Sequence, residues 1–203
     1  MKILFLSNNK ISNNLIYWLR NVAKEEIVVY DKPINIEFLK KIKPNFIISY
    51  NYRFIIKQEI INYMKNNIIN LHISLLPWNR GADPNLWSFL EDTPKGVTIH
   101  IIDEGIDTGP ILVQKEVYMD ESIETLRSSY EKLHREIQEL FKRSWENIKN
   151  KKLKLISQVS RGSVHYIRDF KKIENLLGNK SWDISIKEFK IKYEKVKEEV
   201  KKN

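Results

Sequence analysis

The sequence predicts an α/β fold: a mostly parallel, twisted sheet with helices on both faces, followed by a short C-terminal extension. Three observations carry this. Short apolar runs alternate with amphipathic stretches of about ten residues over the first part of the chain, the rhythm of βαβ units. Turn-forming residues such as Ser7-Asn8-Asn9 close the runs. A length of 203 residues suffices for one domain with a full core plus a modest appendage.

In order, Lys2 to Leu6 reads as the first strand, and Asn13 to Ala23 as a helix through Leu15, Ile16, Leu19 and Val22. Ile27 to Tyr30 is a second strand, Ile34 to Ile42 a short helix stopped by Pro44, and Phe46 to Tyr50 a third strand. Lys57 to Lys65 is a further helix, and a fourth strand opens at Ile68. Asp83-Pro84 starts a helix through Leu86, Phe89 and Leu90, with proline tolerated in the first turn. Gly96 to Ile102 is a strand with Val97, Ile99 and Ile101 on one face and Thr98 and His100 on the other. Ile111 to Val113 with Val117 gives another strand. Ile123 to Ile148 is a long helix, its apolar residues from Leu126 to Trp145 recurring at three- and four-residue steps. Beyond residue 150 the periodicity weakens. Arg161 to Tyr166 reads as extended and Phe189 to Val200 as a charged, partly amphipathic helix. The expected division is a main domain over 1–150 and an extension over 151–203, either a small subdomain or a dimer-contact element.

The net charge of +9 is unevenly placed. Residues 151–203 hold 15 Lys and Arg against 7 Asp and Glu, leaving 20 against 19 in residues 1–150. A basic tail suits nucleic acid, anionic lipid or an anionic small molecule, but a Lys-rich solvated helix is the plainer reading. There is no Cys, hence no disulfide, no thiolate nucleophile and no Cys-based zinc site, and no His pair has zinc spacing. The opening run Ile3–Leu6 is too short for a signal peptide, and no run approaches the ~20 apolar residues of a membrane span. A soluble, cytoplasmic protein with no metal is expected.

The chemistry concentrates in Asn70-Leu71-His72-Ile73-Ser74-Leu75-Leu76-Pro77-Trp78-Asn79-Arg80-Gly81 and in Asp103-Glu104-Gly105-Ile106-Asp107-Thr108-Gly109-Pro110. Strand alternation puts Asn70, His72 and Ser74 on one side and Leu71, Ile73 and Leu75 toward a core. Polar residues are costly on an apolar strand, so an amide beside an imidazole there suggests a site. The run Trp78-Asn79-Arg80 offers an aromatic face, an amide and a guanidinium nearby, and Asp107 lies in a loop able to meet the imidazole. Asn, His and Asp together can polarise a carbonyl and move a proton. Singly, His72 could be a structural histidine and Asp107 only turn chemistry. His100 is expected to pack between strands or orient a loop, and His134 lies beside the long helix's apolar stripe. No GxGxxG or Walker loop follows the first strand, so a dinucleotide or P-loop site is not supported.

These paired motifs resemble the signature of the 10-formyltetrahydrofolate-dependent formyltransferases, over roughly residues 1–150. The resemblance implies a Rossmann-like α/β catalytic domain, with 10-formyltetrahydrofolate as formyl donor. It matches Asn70, His72 and Asp107 to the family's catalytic set. It matches Arg53, Phe54 and Ile55 to the segment that holds the pterin, and the loop carrying Asp103, Gly105 and Asp107 to the opposite wall of that pocket. In the mechanism it implies, Asn70 and protonated His72 stabilise the formyl oxygen while Asp107 stabilises the imidazolium. The Asn8 to Ser12 turn departs from the Gly-rich phosphate loop of the purine-pathway member, which counts against glycinamide ribonucleotide.

Within the family, the run Leu75 to Asn85, with Gly162, His165, Asp169 and Trp182-Asp183, looks most like the sugar N-formyltransferases. That implies a dTDP- or UDP-linked 4-amino-4,6-dideoxy sugar as acceptor, in lipopolysaccharide or flagellar-glycan pathways. Asn8, Trp78, Asn79, Arg80 and Asp83 are the residues expected to meet it. No nucleic acid or membrane partner is expected, and a homodimer is the family-based expectation. A methionyl-tRNA formyltransferase-like enzyme and a non-catalytic folate-binding module are the rival readings.

Overall fold

The computed structural model describes residues 1–159 and 161–202. Its first half is β1 (Lys2–Leu6), α1 (Asn13–Asn21), β2 (Glu26–Tyr30), α2 (Ile36–Ile42), β3 (Phe46–Ser49), α3 (Gln58–Met64) and β4 (Ile68–His72). There follow β5 (Arg80–Gly81), α4 (Pro84–Leu90), β6 (Gly96–Ile101), β7 (Ile111–Glu116) and α5 (Leu126–Lys149). The extension adds β8 (Val164–His165), α6 (Ile167–Lys171), a 3-10 stretch over Glu174–Asp183 and α7 (Ile186–Lys202). The sequence pattern predicts neither α6 nor the 3-10 stretch.

The main sheet runs β2-β1-β3-β4-β6-β7. β2, β1, β3 and β4 are mutually parallel, whereas β6 and β7 are antiparallel to their neighbours. The sheet is therefore mostly parallel and covered on two sides. Alternation along β1 explains the cover: Ile3 and Phe5 join one apolar cluster with α1, α4 and α5, while Leu4 and Leu6 join a second with α2 and α3. Phe46 and Ile48 against Ile47 repeat this division in β3.

Element ends follow local chemistry. α2 begins two residues later than expected because the Asn35 side chain accepts from the Phe38 N–H and caps it. α5 begins at Leu126, not Ile123, because Thr125 and Ser128 form a reciprocal capping box. Ile123 is left outside and exposed. Leu133, Ile137, Phe141, Trp145 and Ile148 then carry the buried stripe, each worth roughly 1.5–3 kcal/mol or more of burial.

The extension packs into the same core. Ile173, Leu177, Ile184, Ile186 and Phe189 are buried in the cluster that contains Phe5 and Phe141. β8 pairs in parallel with β5, and Ile156 bridges to Ile111. No helix among the described residues is long and apolar enough to cross a membrane.

Candidate active site

β4 sets the site. Leu71 and Ile73 enter the core, while Asn70 and His72 face the other way. Leu75 is only half-buried, because the strand ends at His72 and the chain turns: Ser74 Oγ donates to the Trp78 carbonyl at 2.7 Å. Register places Asn70 between Ser49 of β3 and His100 of β6. Since β6 runs antiparallel to β4, its carboxyl end lies beside Ile69, and the 102–110 loop turns back toward Asn70. Gly109 permits that turn, for a Cβ there would come 1.9 Å from the Ile101 carbonyl oxygen.

The loop delivers Asp107, at φ 50°, into a ring of partners. Its Oδ1 accepts from Asn70 Nδ2 at 3.1 Å and lies 3.3 Å from His100 Nε2. Its Oδ2 accepts from the Gly81 N–H at 2.8 Å and lies 3.5 Å from His72 Nδ1. Burial would push this carboxyl up, but the imidazoles of His72 and His100 and the Gly81 N–H hold it well below the usual carboxylate range. His72 Nε2 donates to the Asn79 carbonyl at 3.0 Å. A doubly protonated His72 can donate to both the Asn79 and Asp107 oxygens; the neutral ring can donate to one.

His100 is the residue whose place in this cluster the sequence reading did not foresee. It is 2% exposed, its Nδ1 donates to the Ile101 carbonyl at 2.8 Å, and its Nε2 is 3.4 Å from Asn70 Nδ2. The available signal was register: an antiparallel partner of the site strand puts His100 directly opposite Asn70.

The other expected positions divide. Asn79 is fully buried, its Oδ1 accepting from Thr93 Oγ1 at 2.7 Å and its Nδ2 donating to Glu91 at 3.2 Å. Arg80 is likewise turned to the extension, its Nη2 donating to the Arg161 carbonyl at 2.7 Å. Asn8 bridges two loops, donating to the Asp31 carbonyl at 2.6 Å and accepting from the Arg53 N–H at 3.1 Å. Asp83 starts α4 without capping it, and burial and then Glu174 of the extension push its carboxyl up. Trp78 alone of the five keeps an open ring, 37% exposed.

Arg53, Phe54 and Ile55 lie in the connection between β3 and α3, with the Arg53 guanidinium over the Phe54 ring and Ile55 exposed. Asp103 Oδ1 accepts from the Gly105 N–H at 3.2 Å and Thr108 Oγ1 at 2.7 Å, which shapes the Asp107 loop. An open groove of about 530 Å³ runs between α3 and this loop, lined by Gln58, Asn62, Lys65, Asp103, Glu104 and Pro110 among others. Such a volume suits a ligand of drug size. Arg53, Phe54 and Ile55 do not line it. Among the described residues, no group of three or more His, Asp or Glu could hold a metal ion.

Behind the cluster, Tyr50 and His134 meet with 2.5 Å between the phenol oxygen and Nδ1. Burial pushes the His134 imidazole down to about 3, so it is neutral at ordinary pH.

Comparison with known proteins adds the following. The family described as "Formyl transferase" matches residues 26–144. The methionyl-tRNA formyltransferase of Thermodesulfovibrio yellowstonii is 47% identical over 94 residues, covering 45% of this chain and 30% of that protein. The chain thus spans about a third of the length of such curated relatives. The crystal structure of the formyltransferase PseJ from Anoxybacillus kamchatkensis, in complex with UDP-4,6-dideoxy-4-formamido-L-AltNAc and tetrahydrofolate, superposes with a TM-score of 0.85. It is 43% identical, covering 93% of this chain and 97% of that one. A sugar N-formyltransferase from Shewanella sp. is 26% identical with a TM-score of 0.74, covering 88% of this chain and 82% of that one.

Proposed function

Because the chain belongs to the formyl transferase family, we propose that it moves a formyl group from 10-formyltetrahydrofolate to the amine of a dTDP- or UDP-linked 4-amino-4,6-dideoxy sugar. One observation carries the substrate class: the likeness to PseJ runs nearly end to end in both chains, and that structure holds a UDP-linked 4-formamido sugar with tetrahydrofolate. A product of this kind suits lipopolysaccharide or flagellar-glycan assembly, in the cytoplasm and by a homodimer.

The donor supplies an activated formyl carbon, and its pterin is assigned to the segment Arg53, Phe54 and Ile55, opposite the loop that carries Asp103, Gly105 and Asp107. The rest is done by this chain. Negative charge grows on the formyl oxygen as the amine attacks. Both expected oxyanion donors are already bound to protein oxygens, His72 Nε2 to a neutral carbonyl and Asn70 Nδ2 to a carboxylate. Charge-assisted hydrogen bonds are roughly twice as strong as neutral ones. A forming oxyanion therefore wins His72 from the Asn79 carbonyl, and the Asn70 amide, which carries two N–H groups, keeps one on Asp107 and offers the other to the oxyanion. Asp107 holds the imidazolium and helps relay the proton lost by the amine to the folate nitrogen, whose bond to the formyl carbon breaks as the new carbon–nitrogen bond is completed.

The test offers the purified protein 10-formyltetrahydrofolate with dTDP- and UDP-4-amino sugars, methionyl-tRNA and glycinamide ribonucleotide. Formylated sugar read by mass spectrometry is the expected product. Formylated tRNA without formylated sugar overturns the substrate assignment, and no transfer to any acceptor leaves the folate-binding module.

A further inference from the structure

We propose that a strap from the C-terminal extension, residues 156–159 and 161–165, sets the geometry of the catalytic cluster, with Gln158 and Ser163 as its positioning residues. The proposal rests on the formyl-transfer reading for its kinetic arm and on hydrogen-bond geometry alone for its spectroscopic arm.

The strap is anchored where Ile156 and Ile111 exchange backbone hydrogen bonds of 2.8 and 2.9 Å. Two residues on, Gln158 Nε2 donates to the carbonyls of Asp107 at 2.9 Å and Gly109 at 2.8 Å. One amide thus grips the backbone of the catalytic acid, at a residue whose φ of 50° costs roughly 1–2 kcal/mol unless its surroundings hold it. Further along, Ser163 meets three residues of the opposite loop. Its N–H donates to the Pro77 carbonyl at 3.2 Å, its Oγ accepts from the Asn79 N–H at 2.9 Å, and its carbonyl accepts from the Arg80 N–H at 3.0 Å. The His165 carbonyl then accepts from the Ala82 N–H at 2.9 Å. Gly162 and Gly81 make this closeness possible: a Cβ would lie 1.9 Å from the Pro77 oxygen at the first and 2.2 Å from the His165 oxygen at the second.

The backbone groups so fixed are those that orient the reacting side chains. The Asn79 carbonyl holds His72 Nε2, and the Gly81 N–H holds Asp107 Oδ2. Gln158 works from the other side, on the acid's own peptide. The strap therefore spans both loops of the cluster without a hydrogen bond to its catalytic side chains. A displacement of about 1 Å at such a site costs about 10²-fold in rate.

The experiment compares the full chain with Gln158→Met, which keeps side-chain bulk without the donor, Ser163→Ala, Ser163→Thr and Val159→Ala. Histidine ring nitrogens are read by ¹⁵N NMR and formyl transfer by steady-state kinetics. Gln158→Met and Ser163→Ala shift the His72 ring resonances, leave in place those of His134, whose ring bonds to Tyr50 and not to the strap, and lower kcat by about 10²-fold with little change in either KM. Ser163→Thr restores both readouts, and Val159→Ala, exposed and outside these contacts, changes neither. Unmoved His72 resonances in both variants overturn the proposal, as does a loss confined to KM. An inactive wild type whose variants still move His72 sinks the formyl-transfer reading and leaves the strap standing.

Discussion

Asp107→Asn is the perturbation that most directly probes the cluster. The native carboxylate accepts from Asn70 and Gly81 while facing His72 Nδ1 at 3.5 Å. At that separation, with an effective dielectric near 20, a carboxylate and an imidazolium attract by about 5 kcal/mol. If all of that is felt when the imidazolium meets the forming oxyanion, its removal slows the reaction about 3,000-fold. That lies inside the 10²–10⁴ range of general acid–base catalysis. The amide is also a poorer fit, since one of its ends is an NH₂ pointed at an existing donor, either the Gly81 N–H or the Asn70 amide. Leaving such a donor unsatisfied costs about 1–3 kcal/mol, or a few degrees of melting temperature per kcal/mol for a chain of this size. The assay is single-turnover formyl transfer followed by mass spectrometry, with the melting temperature measured alongside. A variant that folds and keeps its rate within about tenfold of wild type, against the 10²-fold floor, refutes the charge-pair reasoning.

The remaining expectations concern pH and packing. Asp107 is held below the ordinary carboxylate range, so its ionised form stabilises the fold above the unfolded value of ~3.9 and that support fades only as pH falls through the lower folded value. An acid limb of kcat/KM between about pH 5 and 7 must then belong to a group other than Asp107; a ¹³C NMR titration that shows the Asp107 carboxyl taking up its proton within that window would contradict this. His134, a base, works in the same direction through its burial. It is pushed down to about 3 in the fold and titrates near 6.5 when unfolded, so stability is lost as pH drops from about 6.5 toward 3. The slope reaches about 1.4 kcal/mol per pH unit, and His134→Gln should flatten it in urea midpoints measured across that window. Phe141→Ala, at a fully buried ring stacked on Trp145, should cost about 3–5 kcal/mol by the same titrations, and a cost below 1 kcal/mol would show the core to be looser than its packing implies.

The sequence by itself determined the α/β class and the two apolar faces of the sheet, because a period of two or of 3.6 is written locally and each strand is only a few residues long. It also marked Asn70, His72 and Asp107, because polar side chains on a short apolar strand and an acid between Gly-rich turns stand out without any knowledge of neighbours. Tertiary structure decided the rest. Whether Asn79 and Arg80 face a ligand or the protein, which backbone groups hold His72 and Asp107, and that His100 completes the ring depend on register and on an antiparallel β6. The grip of Gln158 and Ser163 spans 51 and 84 residues of chain. Contacts at such separations are fixed by how finished elements pack, through backbone amides and carbonyls that every residue carries alike, and so they leave no local pattern of side chains to read.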